Sequence, residues 1–200
     1  MTSDQTATTE GRPDMFATDF DALERGDSYE SATRQIDGRD VAIFAALTGD
    51  DHPIHVNPAF AAQGPFGRQI AHGLLVLSCA VGSLPLDPDR VLALRRIREA
   101  VFKRPVAVGE SIAVTCRVSE LRPVDERSGL VDCEWRILGA DGKLRARVLA
   151  EILWRRGPHD PTAVSAAALA NFNPPLADPS EAAAELAPVE VTNDGLRVLV

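Results

Sequence analysis

Three stretches in the second half of the chain alternate apolar and polar residues with the two-residue period of a strand that covers one face. Ile112, Val114, Cys116 and Val118 interleave with Ala113, Thr115, Arg117 and Ser119. Val131, Cys133, Trp135 and Ile137 interleave with Asp132, Glu134 and Arg136. Ala146, Val148, Ala150, Ile152 and Trp154 interleave with Arg145, Arg147, Leu149, Glu151 and Leu153. Alternation of this quality predicts antiparallel strands with one buried face. Turn residues at 125–129 and 139–142 separate them, the second stretch carrying an Asp-Gly pair. A further strand is predicted over 93–102 and an N-terminal one near 28–35.

The helical signals lie earlier. After Asp37, a plausible N-cap, Val41, Phe44, Ala45 and Thr48 recur at helical spacing, and Gly49 is placed to stop the helix in a left-handed conformation. A turn-rich stretch runs from Asp50 to Pro58. The next helix, predicted over 73–84 with Pro85 ending it, is apolar on all sides and must be wrapped by protein. It is too short to cross a bilayer. One wholly apolar helix and one antiparallel sheet with an apolar face make an α+β domain, the sheet curved around a long central helix.

Composition adjusts this picture only at the ends. Residues 1–17 are polar and read as a loose arm, 18–156 as the globular domain, and 157–200 as a Pro/Ala-rich extension in which 163–170 has helical composition. A 45% hydrophobic and 25% charged chain is an ordinary globular one. A net charge of -8 argues against a nucleic-acid binder. No apolar run is long enough for a membrane span, and the first fifteen residues lack a basic start and an apolar core, so a cytoplasmic protein is expected. Cys79, Cys116 and Cys133 fit no metal spacing and read as buried free thiols.

Three of the four histidines, His52, His55 and His72, lie between the end of the first helix and the start of the apolar one, with Asp50 and Asp51. An imidazole can take and return a proton near neutral pH, and a neighbouring carboxylate can orient a water or hold the ring in one tautomer. Pro53 stiffens the turn between Asp50 and His55. At the Ala71-His72-Gly73 junction, N–H groups of the helix start have no intrahelical acceptor, and glycine admits a ligand to the backbone. Such an N–H can stabilise an oxyanion. Taken singly, each residue has a plain structural reading as turn, hydrogen-bonded histidine or cap. Metal binding by Asp50, His52 and His55 matches no ligand spacing, so no metal is expected. Phosphate-loop and serine-hydrolase motifs are absent. The basic run Arg95, Arg96, Arg98, Lys103 and Arg104 reads first as an exposed strand face, and second as a site for coenzyme A phosphates or an acidic carrier protein.

Read as strings, Phe44-Ala45-Ala46-Leu47-Thr48-Gly49-Asp50-Asp51-His52-Pro53-Ile54-His55-Val56-Asn57-Pro58, then Phe66-Gly67-Arg68-Gln69-Ile70-Ala71-His72-Gly73, then Val101-Phe102-Lys103-Arg104-Pro105-Val106-Ala107-Val108-Gly109-Glu110, resemble the MaoC-like, (R)-specific enoyl-CoA hydratases and dehydratases. The resemblance implies a single hot-dog fold, a homodimer, and reversible addition of water to a trans-2-enoyl thioester of coenzyme A or acyl carrier protein. It puts Asp50 and His55 on the catalytic positions and the Gly73 N–H on the thioester oxygen, with His72 and Arg104 expected to touch substrate and no cofactor needed. His52 and Asn57 depart from the family pattern, which commonly has Asn and Asp there. A dehydratase for a polyketide or other biosynthetic intermediate, a hot-dog thioesterase and a non-catalytic partner subunit are the alternatives.

Overall fold

In the computed structural model of the chain, residues 14–157 are described together with the backbone of 189–192 and 195–198. Two single 3-10 turns, Met15–Ala17 and Phe20–Ala22, lead into β1 (Ser28–Glu30) and β2 (Arg34–Gln35). Helices α1 (Gly38–Thr48), α2 (Pro53–Val56), α3 (Pro58–Gln63) and α4 (Gly73–Val81) come after them. Four long strands are next: β3 (Val91–Phe102), β4 (Ser111–Pro123), β5 (Ser128–Gly139) and β6 (Leu144–Arg155). They form an antiparallel sheet of order β1-β4-β5-β6-β3, with β2 also on β4. A separate hairpin, β7 (Val189–Thr192) with β8 (Gly195–Val198), lies within the expected C-terminal extension. The expected helix at 163–170 and the arm over 1–13 lie outside the described residues.

The period-two pattern holds on the inner face. Ile112, Val114, Cys116 and Val118 of β4, with Val131, Cys133, Trp135 and Ile137 of β5 and the even-numbered residues 146–154 of β6, are buried against α4. Each fully buried valine or isoleucine contributes about 1.5–3 kcal/mol relative to exposure. The outer face departs from the expectation. Arg145, Glu151 and Leu153 are buried there too. Arginines from β3 and β4 fold across that face: Glu151 accepts hydrogen bonds from Arg95, from Arg98 at 2.8 Å and from Arg122 at 2.6 Å. Arg98 and Arg122 also reach Asp132, at 3.0 and 3.1 Å. Two members of the basic run, Arg95 and Arg98, thus tie edge strand β3 to β6.

Two boundaries move. Met15 and Phe16 are buried, Phe16 packing between Tyr29 and Trp154, and the Trp154 indole donates to the Thr18 carbonyl at 2.9 Å. The packed domain therefore begins at or before Asp14, not at 18, because two large side chains there complete the sheet end. The central helix is also shorter than expected, nine residues ending at Val81, where i→i−3 turns from Ser83 and Leu84 take over from α-helical bonding. It is not wrapped on all sides: Leu74 is 62% exposed and Ser78 is exposed one turn on. One sheet covers one side of a helix, and in a single chain the opposite stripe stays open.

Candidate active site

The segment that carries the titratable residues is held at both ends by backbone chemistry. Asp37 and Asp40 form a reciprocal capping box that starts α1. Gly49, at φ +74°, ends it in the left-handed region, its N–H bonded to the Ala45 carbonyl. The chain then turns, so that Asp50 projects from the helix end.

The stretch beyond Asp51 is not irregular turn but two short helices, each with proline in its first turn, where the missing N–H costs nothing. His52 caps α2, its Nδ1 accepting from the Ile54 N–H at 3.3 Å. Asn57 caps α3, its Oδ1 accepting from Phe60 N–H at 3.0 Å. Asn and Asp, the family's common residues at these two positions, are equally good caps. His52 and Asn57 thus fill a local capping role in this structure.

His55 stands on α2, half-buried. Its Nδ1 lies 2.8 Å from the Ile70 carbonyl, which can only accept, so Nδ1 donates and Nε2 is the nitrogen left for other partners. That carbonyl is itself fixed. Ala71 N–H bonds to Val106 O at 2.8 Å and Ile70 bridges Ala107. The Gln69 amide donates to the His55 carbonyl as a second tie. One ligating atom each from Asp50, His55 and His72 lie within 4.8 Å of one another. A gap of that size between the carboxylate and imidazole is spanned by one water making two ordinary hydrogen bonds.

Gly73 opens α4, and its N–H has no intrahelical acceptor. His55, Gly73 and Val76, with Phe66 and Phe102, line a cavity of about 340 Å³. An adjoining cleft of about 670 Å³ shares Phe66, Ile70, Arg104, Pro105 and Arg145 with it and adds Arg68 and Lys143. Arg104 lies on both, its Nη1 donating to the neutral Leu144 carbonyl at 3.0 Å, with no carboxylate partner among the described residues. Arg145, by contrast, is tied to Glu110 and Asp141.

His72 is where the structure departs from expectation. It is 2% exposed and does not line the cavity. Its ring packs between Phe44 and His55 and reaches the Asp50 carbonyl. Among the described residues, the set able to hold a metal is Asp50, His55 and His72, not His52. A cation there would have to use ring nitrogens other than the two already bonded to carbonyls. Sequence reasoning missed the Ile70 carbonyl, which as backbone has no residue signal, and the aromatic walls Phe66 and Phe102, although both lie inside the motif strings.

The three thiols are buried and free of disulfides. Burial raises the pKa of Cys79, and a hydrogen bond with Cys116 together with burial raises that of Cys133 well above its ordinary value. Neither is built as a nucleophile.

A sheet curved over a short apolar helix has an imidazole, His55, lining a cavity beside the helix start, with the Asp50 carboxylate close behind it. The MaoC like domain family matches residues 21–134. A 3-hydroxybutyryl-CoA dehydratase of Methylorubrum extorquens is 36% identical over 121 residues, covering 59% of this chain and 74% of that one. The solved (R)-hydratase of A. caviae, involved in PHA biosynthesis, superposes with a TM-score of 0.56 at 29% identity, over 68% of this chain and 98% of that one. A Mycobacterium tuberculosis protein with a double hot-dog fold superposes with a TM-score of 0.62 at 23% identity, over 83% of this chain and 54% of that one, which speaks for the fold alone. The chain belongs to the MaoC-like domain family, a hydro-lyase of the hydratase/dehydratase type on a hot-dog fold.

Proposed function

We propose that the chain adds water reversibly across the double bond of a trans-2-enoyl thioester, giving an (R)-3-hydroxyacyl thioester, with Asp50, His55 and the Gly73 N–H as its catalytic groups. The observation that carries this reading is the approach of Asp50 and His55 within 4.8 Å, close enough for one bridging water, with the His55 Nδ1 engaged by the Ile70 carbonyl so that Nε2 is the nitrogen left for catalysis. Water held there by the Asp50 carboxylate gives a proton to Nε2 as its oxygen attacks the β-carbon. The electron pair of the double bond moves onto the thioester oxygen, where the Gly73 N–H, at the positive end of α4, stabilises the enolate. His55 then returns a proton to the α-carbon, so one water is added in all. The reverse order is dehydration. No step calls for a metal or redox group.

The thioester carrier is coenzyme A or an acyl carrier protein, with the unneutralised Arg104 at the mouth suited to its phosphates. The working unit is a homodimer. Edge strand β3 has no further neighbour among the described residues, runs for twelve residues and exposes Leu92, Leu94, Ile97 and Phe102. An edge of that length with exposed apolar side chains invites a second sheet, and sedimentation at the monomer mass would refute it. The buried, unoxidised thiols fit a cytoplasmic setting.

The decisive assay is loss of enoyl-thioester ultraviolet absorbance with crotonyl-CoA and longer enoyl-CoAs. Asp50→Asn and His55→Gln are each expected to lower kcat by about 10²–10⁴-fold with folding intact. Full activity in either variant overturns the assignment.

A further inference from the structure

We infer that His72 is the positioning residue of this site, a buried residue whose ring holds Asp50 and His55 and whose backbone leads into Gly73, without touching substrate; the inference rests on the hydratase reading for its kinetic consequences alone. The His72 Nε2 lies 2.8 Å from the Asp50 backbone carbonyl. A carbonyl only accepts, so Nε2 donates and the first catalytic residue is pinned at its main chain. The ring also stacks on His55, with centroids 3.9 Å apart and planes 29° apart, and is backed by Phe44 at 4.9 Å on α1. His55 therefore has one edge fixed by the Ile70 carbonyl and one face fixed by His72. Finally, His72 is the N-cap of α4, at φ -60° and ψ 137°, without a side-chain cap hydrogen bond, and its backbone makes with Gly73 the peptide whose N–H is the proposed oxyanion donor.

His72 is not equipped to act on substrate. It is 2% exposed, and its Nδ1 is closed to solvent with no hydrogen-bond partner among the described residues. It hands no proton to a ligand. The titratable groups facing it are Asp50 and His55, with His52 beyond, its ring 6.2 Å from that of His55. The side chain thus links the end of α1 with the ring on α2, and its own backbone starts α4. A shift of an ångström in any one separates water, base and oxyanion donor, and misplacements of that size cost roughly 10²-fold in rate.

The test uses His72→Gln, which keeps an N–H donor for the Asp50 carbonyl, and His72→Phe, which keeps a ring against His55 but loses the donor. His72→Phe is expected to lower kcat roughly 10²-fold with KM little changed, the signature of lost positioning rather than lost substrate contact. His72→Gln is expected to recover much of that loss. The acid limb of the kcat/KM profile should move in His72→Phe, a shift that mere destabilisation does not produce. A KM increase at unchanged kcat, or full activity in His72→Phe, overturns the proposal. Nitrogen NMR of the histidine rings gives a readout that needs no turnover. Wild type and His72→Phe should both show the His55 ring with Nδ1 protonated, since the Ile70 carbonyl is untouched, whereas His72→Ala, which removes the stacked face, should broaden the His55 ring signals by exchange. Should His72→Phe fail to fold, His72→Ala carries the kinetic test as well. Sharp, unshifted His55 signals in His72→Ala overturn positioning, whereas a wild type inert on every enoyl thioester overturns the hydratase reading and leaves the NMR result standing.

Discussion

Replacing Glu151 by glutamine should cost this fold about 3 kcal/mol at neutral pH and remove most of its acid sensitivity. The carboxylate is buried, its side chain 3% exposed, on the outer face of β6. Burial alone would raise its pKa, but hydrogen bonds and charge from Arg98 and Arg95 outweigh that and lower it from the ordinary 4.5 to about 2. A gap of that size is worth about 3 kcal/mol at about 1.4 kcal/mol per tenfold change in proton affinity. A folded-state pKa below the unfolded one means stability that is complete above pH 4.5 and lost as pH falls from there toward 2. Asp132 runs in the opposite sense. Burial raises its pKa despite Arg122 and Arg98, so its ionised form is disfavoured in the native state and acidification relieves that cost. The wild-type acid limb is therefore shallower than Glu151 alone would make it. In Glu151→Gln, three arginines lose their shared acceptor. Breaking a buried pair by removing one partner typically costs about 3–5 kcal/mol, and the lower end is expected because the arginine side chains are 33–38% exposed and can turn to water. For a chain of this length that is a fall in Tm of roughly 6–12 °C. Urea unfolding monitored by the fluorescence of the buried Trp135 and Trp154, at pH 7 and in steps down to about pH 2.5, reads both quantities. A variant within about 1 kcal/mol of wild type at pH 7, or one that keeps the wild-type slope below pH 4.5, would refute the reasoning.

Three further outcomes are expected at the site. A methyl group on Gly73 would sit 3.0–3.1 Å from three carbons of the Phe102 ring, so Gly73→Ala should tilt Phe102 into the cavity, crowd the N–H and lower kcat/KM by about tenfold or more; wild-type activity would contradict that role. Arg104→Ala should raise KM for coenzyme A thioesters at constant kcat, with the difference fading as salt is raised, and a salt-independent change would point away from charge. Prolonged dialysis against EDTA should leave hydration rates unchanged; loss of activity restored by added zinc would assign Asp50, His55 and His72 to a metal instead.

Much of this protein is written in local pattern. The inner face of β4, β5 and β6, the capping of α1 by Asp37 and its end at Gly49 are each legible from neighbours a few residues apart, because hydrophobic period and glycine conformation act over that range. Asp50, His55 and Gly73 were legible as candidates for the same reason, standing together in motif strings between two helical patterns. Other features depend on what a distant segment brings. Burial of Glu151 goes with arginines up to 56 residues away folding over the outer face, and that of Arg145 with its pairing to Glu110 and Asp141, neither of which alternation along β6 encodes. The open stripe of α4 at Leu74 and Ser78 shows only once the sheet is seen to cover one side. His72 is the clearest case. As a polar residue beside a glycine in a candidate loop it reads as a substrate contact, and only packing turns it inward between Phe44 and His55, 22 residues from the carbonyl it holds. Sequence by itself determined which residues could do the chemistry, since pKa, donor set and backbone freedom belong to residue types. Tertiary structure decided which of them face the cavity, because a side chain's direction is set by everything packed around it.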